Sequence, residues 1–262
     1  MKESYPREVE ATLIIQSEKP DEIVMSIAGL ESIGDYGLIR EKSRAIRDVY
    51  FDTPDQSLSS RKISLRLREL DGQYRITMKS QVRLNQWGAL DRQELEFSWS
   101  QTSLERIFCE LADSGIVLNQ PNMDFDNTHP MDILLKSSLK PIQHRESHRQ
   151  VRNVVIGESS PIAELVIDSV IYHFHKTDIH HYEIEIETKK EENIEVFMTL
   201  IDDLLAMYKP YLRRWKYGKL VTGKAIEKLL EEGSLDKLIS HDNNLKPVTY
   251  TILEFSLGSG LA

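Results

Sequence analysis

The chain has 262 residues, 40% of them hydrophobic, so it can bury a sizeable core and is neither low-complexity nor disordered. A formal net charge of −9 argues against a general nucleic-acid binder but leaves room for a local basic site for a small anion. The single cysteine, Cys109, excludes an intrachain disulfide; with no apolar leader and no long apolar run, the expectation is a cytoplasmic protein with no membrane span.

Arg7 to Ile15 reads as a first strand, with Glu8, Glu10 and Thr12 on one face and Val9, Ala11, Leu13 and Ile15 on the other. Asp21 then caps a short helix carrying Ile23, Ile27 and Leu30, which stops near Gly34 and Gly37. Ile46 to Phe51 is strand-like and ends in the turn Asp52-Thr53-Pro54-Asp55. Ile63, Leu65 and Leu67 alternate with Ser64, Arg66 and Arg68 up to the hairpin dipeptide Asp71-Gly72. The return strand sets Tyr74, Ile76 and Met78 against Arg75, Thr77 and Lys79. Beyond a loop through Trp87-Gly88, Arg92, Glu94 and Glu96 alternate with Gln93, Leu95 and Phe97. Leu104 to Ser114 is helical, with Leu104, Ile107, Phe108 and Leu111 as its stripe, Cys109 on its apolar side and Gly115 as its stop. Residues 116–141 form a connection with a helical turn near Met131–Leu135.

His144 to Ile156 is a strand carrying Arg145 and Arg149 on one face. In Pro161 to Tyr172, Glu164, Val166 and Asp168 oppose Ala163, Leu165 and Ile167. A polar turn at Lys176–Asp178 leads to Glu183, Glu185 and Glu187 alternating with Ile184 and Ile186. His173, His175, His180 and His181 flank that turn without paired metal-ligand spacing and read as an exposed hairpin end. Glu192 to Met207 and Trp215 to Leu230 have helical spacing, and Val248 to Phe255 is strand-like. Residues 1–233 make one domain and 234–262 a C-terminal extension with no assigned role.

About eight strands, mostly joined by short turns, put charges of both signs on one face and apolar residues on the other. The helices have stripes that would cover the apolar faces. The expected fold is therefore α+β: an eight-stranded antiparallel closed β-barrel, a tunnel with a charged lumen and helices packed outside. Carboxylates without His or Cys companions suit Mg²⁺ or Mn²⁺. Arginines and lysines suit phosphate oxygens. Both in one cavity fit a metal-bound polyphosphate.

The pieces Glu8-x-Glu10, Tyr50-Phe51-Asp52-Thr53-Pro54-Asp55, Leu65-Arg66-Leu67-Arg68, Thr77-Met78-Lys79, Arg92-x-Glu94-x-Glu96, Glu164–Asp168, Glu183–Glu187 and Lys216-Tyr217 occur in a telling order. Together they resemble the CYTH superfamily, the triphosphate tunnel metalloenzymes, which include class IV adenylate cyclases and thiamine triphosphatase. The resemblance implies a metal-dependent triphosphatase acting on a small-molecule triphosphate, with no nucleic-acid or membrane partner. The metal would be held by Glu8, Glu10, Glu164, Asp168, Glu183, Glu185 and Glu187, and the phosphates by Arg66, Arg68, Lys79, Arg92, Arg145, Arg149 and Lys216. Glu10, Glu94 and Lys79 would be catalytic. An adenylate cyclase and a non-catalytic polyphosphate or nucleotide binder are the alternatives. Two residues depart from the family pattern: Thr12 stands where the opening motif has lysine, and Trp215 where serine usually precedes Lys-Tyr. The first leaves weakened triphosphate affinity, a different substrate, or substitution by another basic residue as open alternatives.

Overall fold

The computed structural model describes residues 7–79, 83–84, 90–120, 124–125, 127–157, 160–188, 194–234 and 237–258, with side chains described from Val9 onward and not for residues 83–84 and 90–93. The elements run β1 (Arg7–Ile15), α1 (Pro20–Ala28), β2 (Ser32–Ile33), β3 (Tyr36–Arg40), β4 (Arg44–Asp52), α2 (Ser57–Ser60), β5 (Ser64–Leu70), β6 (Gln73–Lys79), β7 (Arg83–Leu84) and β8 (Leu90–Ser98). There follow α3 (Gln101–Asp113), α4 (Pro130–Lys136), β9 (Lys140–Val155), β10 (Ala163–His173), β11 (Asp178–Thr188), α5 (Ile194–Met207), β12 (Leu212–Trp215), α6 (Lys219–Glu231) and α7 (Pro247–Gly258). None of the described helices is long and apolar enough to cross a membrane.

The strands form one 12-stranded antiparallel sheet in the order β10-β11-β1-β8-β6-β5-β4-β9-β3-β2, with β12 on β1 and β7 on β8. The 16-residue β9 pairs with β4 through Lys140–Arg149 and with β10 through His144–Val154. Pairing therefore returns to β9 after passing through β10, β11, β1, β8, β6, β5 and β4.

Strand alternation decides what covers each face. Ile184 and Ile186 of β11 are fully buried at 0% exposure and share a core with Leu13, Ile15, Leu165 and Ile167 of the neighbouring strands. Phe197, Leu200, Ile201 and Leu204 of α5 and Val24 and Ile27 of α1 complete that core. Each such isoleucine contributes about 1.5–3 kcal/mol relative to exposure. A second core sets Leu65, Leu67, Ile76, Met78 and Leu95 beneath the α3 stripe of Leu104, Ile107, Phe108 and Leu111, with Ile133 and Leu134 of α4. On these strands the apolar face is thus the one covered by helices.

A third core lies on the opposite, charged face. By alternation Ile14 continues the face of Glu10, Val170 and Tyr172 that of Asp168, and Ile179 that of Glu183. These four pack with Trp215, with Ala225, Ile226 and Leu229 of α6, and with Tyr250 and Leu253 of α7. Two helices therefore pack against one end of the charged face, alongside those that cover the apolar one.

Several local expectations need correction. Val248–Phe255 is helical, in α7: Thr249, Tyr250 and Leu253 are buried at helical spacing, which overrides the strand preference of its β-branched residues. Helix α1 is entered from Lys19 with Pro20 in its first turn, and Asp21 lies inside that turn instead of capping it. The stretch Trp215–Leu230 is not one helix, because β12 ends at Trp215 and α6 begins after the extended Gly218. Cys109 is exposed, one position past the buried stripe of α3. His181 is fully buried instead of lying at an exposed hairpin end. The Trp87-Gly88 loop falls outside the described residues.

Candidate functional site

Strand register brings the charged residues together in rungs. Glu164, Glu187 and Glu10 are successive partners across β10, β11 and β1. Asp168 pairs with Glu183 on one side and Arg149 on the other, and Arg145 with Asp48, which pairs in turn with Arg68. Glu8 and Arg92 are backbone partners whose side chains lie outside the described set.

One group of side chains is basic. The buried Asp48 carboxylate accepts two bonds from Arg68, at 2.8 and 3.1 Å, and one from Arg145 at 2.5 Å. Arg66 stands 3.6 Å from the same carboxylate, and Arg145 also donates to the Tyr50 hydroxyl at 3.1 Å. Burial pulls the Asp48 carboxyl upward, but Arg66, Arg68 and Arg145 outweigh it and hold it well below its usual range. Burial likewise opposes ionisation of Tyr50, yet Arg145 and Arg66 bring its hydroxyl down to about 8. Three guanidiniums around one carboxylate leave an excess of positive charge in a buried place. Nε of Arg66 and Nε and Nη1 of Arg145 are buried without a hydrogen-bond partner. Such donors are costly to bury unless an anion takes them.

A second group is acidic. Oxygens of Asp168, Glu183 and Glu185 lie within 4.8 Å of one another, a spacing that could hold a metal ion. Lys219, the first residue of α6, reaches into this triad. Its Nζ lies 3.1 Å from Asp168 Oδ2 and 2.6 Å from Glu185 Oε1, and it is also ion-paired with Glu183. Arg149 grips Asp168 with two bonds, at 2.9 and 2.6 Å, and reaches Glu185 at 2.9 Å. Burial works against the charge on Glu185, but Lys219 and Arg149 hold its carboxyl well below the usual range. His181 closes the group, with Nε2 2.7 Å from Glu183 Oε2 and Nδ1 2.9 Å from the Tyr250 hydroxyl.

Between these groups, Lys79 lies 2.7 Å from Glu94, and Arg66 spans towards Glu94 at 3.9 Å and Glu96 at 3.4 Å. Glu96 also binds Arg75 at 2.8 Å and Thr77 at 3.1 Å. Glu187 differs from its neighbours: burial and the Glu185 carboxylate, with Glu10 adding, push it up to about 7. A hard divalent cation beside it would relieve that strain, so the all-oxygen row Glu10, Glu187 and Glu164 fits Mg²⁺ or Mn²⁺ by its chemistry. The triad fits less well, because its oxygens already bind Lys219 and Arg149.

Of the residues singled out in the sequence, Arg66, Arg68 and Arg145 converge on Asp48, and Arg149, Asp168, Glu183 and Glu185 on one another. Lys216 is exposed, its Nζ 5.2 Å from the Tyr217 ring centre, and does not join them. Three participants were not anticipated: Asp48, Lys219 and His181. Asp48 and Tyr50 share one parity in β4, so alternation could have found them. Lys219 carried only an indirect signal, a cation in the first turn of a helix where the dipole disfavours it.

The CYTH domain model matches residues 8–209, so the chain belongs to the CYTH domain family. Among solved structures it is similar to HpAC1 from Hippeastrum, described as a putative adenylyl cyclase with a dominant triphosphatase activity. That likeness has a TM-score of 0.52 and 17% identity, covers 83% of this chain and 95% of the other, and bears on the fold alone. PH1819 from Pyrococcus horikoshii OT3 matches with a TM-score of 0.47, 16% identity, and 86% and 99% coverage of the two chains. A putative adenylate cyclase from Bacillus halodurans matches with 0.41, 22%, and 77% and 90%. No curated protein matches the sequence.

Proposed function

We propose that the chain is a metal-dependent triphosphatase that hydrolyses inorganic triphosphate or an organic triphosphate inside a tunnel enclosed by eight strands. The ring of pairing through β9 supports the enclosure. The observation that carries the activity is the pair of buried guanidiniums, Arg66 and Arg145, whose unmet donors face an excess of positive charge. A polyanion is the ligand such donors require.

Arg66, Arg68 and Arg145 would hold phosphate oxygens, with Asp48 fixing their side chains. Lys79 would neutralise the bridging oxygen that leaves as the terminal phosphorus–oxygen bond breaks. Water supplies the new bond to phosphorus, so no covalent protein intermediate is needed. Catalysis of this kind is positioning and charge stabilisation. Glu10 and Glu187, with Glu164 beside them in register and Glu8 two residues along β1, would hold Mg²⁺ or Mn²⁺. The ion's contribution when bound is to polarise a phosphoryl oxygen.

The test is turnover of inorganic triphosphate, thiamine triphosphate and ATP with Mg²⁺ and Mn²⁺. Orthophosphate release that Glu10→Gln abolishes supports the proposal. No orthophosphate from any of the three overturns it. Cyclic AMP and pyrophosphate from ATP would establish the cyclase instead.

A further inference from the structure

The acidic triad of the lumen already contains a cation. We propose that Lys219 is the resident counter-ion of Asp168, Glu183 and Glu185, and that this triad takes no divalent metal. Each of the six carboxylate oxygens lies against a positive or hydrogen-bonding group, Glu183 Oε1 through its ion pair with Lys219 alone. Lys219 binds one oxygen of each residue, Arg149 takes both oxygens of Asp168 and the second of Glu185, and His181 takes the second of Glu183. A divalent ion would have to expel a buried ammonium from three contacts at once, leaving that ammonium without a partner, which is strongly unfavourable.

The place of Lys219 is built into the fold. The Tyr172 hydroxyl donates to the Lys219 carbonyl at 2.8 Å, and Gln143 donates to the Leu220 carbonyl at 3.2 Å. One turn on, Gly223 lets α6 approach the Tyr172 ring so closely that a Cβ would stand 2.6 Å from Cε1. A cation at the first position of a helix opposes the helix dipole, so the carboxylates must hold it there. The same network ties in α7, because Tyr250 hydrogen-bonds His181, which contacts Glu183. Lys219 is thus a positioning residue that joins the C-terminal helices to the charged face by an internal ion cluster.

This inference stands without the triphosphatase reading, because its test measures Mn²⁺ binding to the full chain with no substrate present. Mn²⁺ is titrated and the free ion followed by its paramagnetic signal. Asp168→Asn is expected to leave the stoichiometry unchanged and to shift the dissociation constant by less than about threefold, the remote effect of one charge. Lys219→Gln is expected to bind one more Mn²⁺ than the wild type, and Asp168→Asn added to it removes that ion. Loss of a bound Mn²⁺ in folded Asp168→Asn, or no additional ion in folded Lys219→Gln, overturns the proposal. Circular dichroism establishes folding, and if Lys219→Gln does not fold, Asp168→Asn together with Glu185→Gln decides the question in the same way.

Discussion

Arg145 donates a hydrogen bond to the hydroxyl of Tyr50 at 3.1 Å, joining two residues that lie 95 positions apart in the chain. The contact makes the charge of the basic cluster depend on pH. Below about 8 Tyr50 is neutral and the cluster carries its full positive excess. Above about 8 the phenolate adds a negative charge beside Arg145 and Arg66, and affinity for triphosphate should fall. Calorimetric titration with tripolyphosphate across that range is expected to show the fall in the wild type and not in Tyr50→Phe. The stability sign is the reverse. A hydroxyl whose folded value lies below the ordinary 10 contributes stability that is present above that value and lost as pH falls through about 8.

Asp48 is the carboxylate that Arg66, Arg68 and Arg145 share. Replacing it by asparagine keeps the shape and removes the charge that Arg68 and Arg145 pair with, leaving Arg66 its contacts with Glu96 and Glu94. We expect Asp48→Asn to lower stability by about 3–5 kcal/mol, the cost of breaking a buried ion cluster from one side. Tripolyphosphate should then raise the melting temperature of the variant more than that of the wild type, because the anion supplies the missing charge. Equal shifts in the two proteins would count against a phosphate site at these arginines.

The alternation of β5, β6, β10 and β11 was legible because period two is written directly into residue order. It told which residues share a face, and that this face carries charges of both signs. Lys219 was illegible for the converse reason. It enters from a helix whose own pattern says nothing about the strand face it meets, and the resemblance-bearing Lys-Tyr pair places the basic role at Lys216, three residues earlier. His181 was misplaced because a turn-flanking histidine looks solvated until α7 covers it, and α7 itself read as a strand from Val248, Thr249, Thr251 and Ile252. Arg149 was legible as a basic residue on the charged face, but not its commitment to Asp168 and Glu185, since pairing between strands depends on a register that one sequence does not state.

Gly223 offers a test of the fit between α6 and the charged face. A Cβ there would stand 2.3 Å from Gln143 Nε2 and 2.6 Å from the Tyr172 ring. The ring is fully buried and its hydroxyl is bonded to Lys219, so it cannot retreat without breaking that bond. Gly223→Ala should therefore destabilise the protein by about 1–3 kcal/mol through overpacking, although alanine is the better helix former. Denaturant unfolding measures this; an unchanged or raised midpoint would mean that α6 does not pack this closely on the charged face.

Thr12 and Lys219 give the last prediction. Thr12 is buried at 4% exposure, and its strand partners are Glu185 of β11 and Trp215 of β12. The carboxylate beside it is the one Lys219 binds at 2.6 Å. A lysine at position 12, where the family motif has one, would therefore bring a second ammonium to a carboxylate that is already occupied. Thr12→Lys alone should be destabilising by about 1–3 kcal/mol, from added bulk and like charge. With Lys219→Gln in the same chain, the new lysine has Glu185 as a partner. The double variant should then be more stable than the sum of the single effects predicts, by a coupling of about 0.5–3 kcal/mol in a double-mutant cycle. Strict additivity would mean that the two positions do not share Glu185.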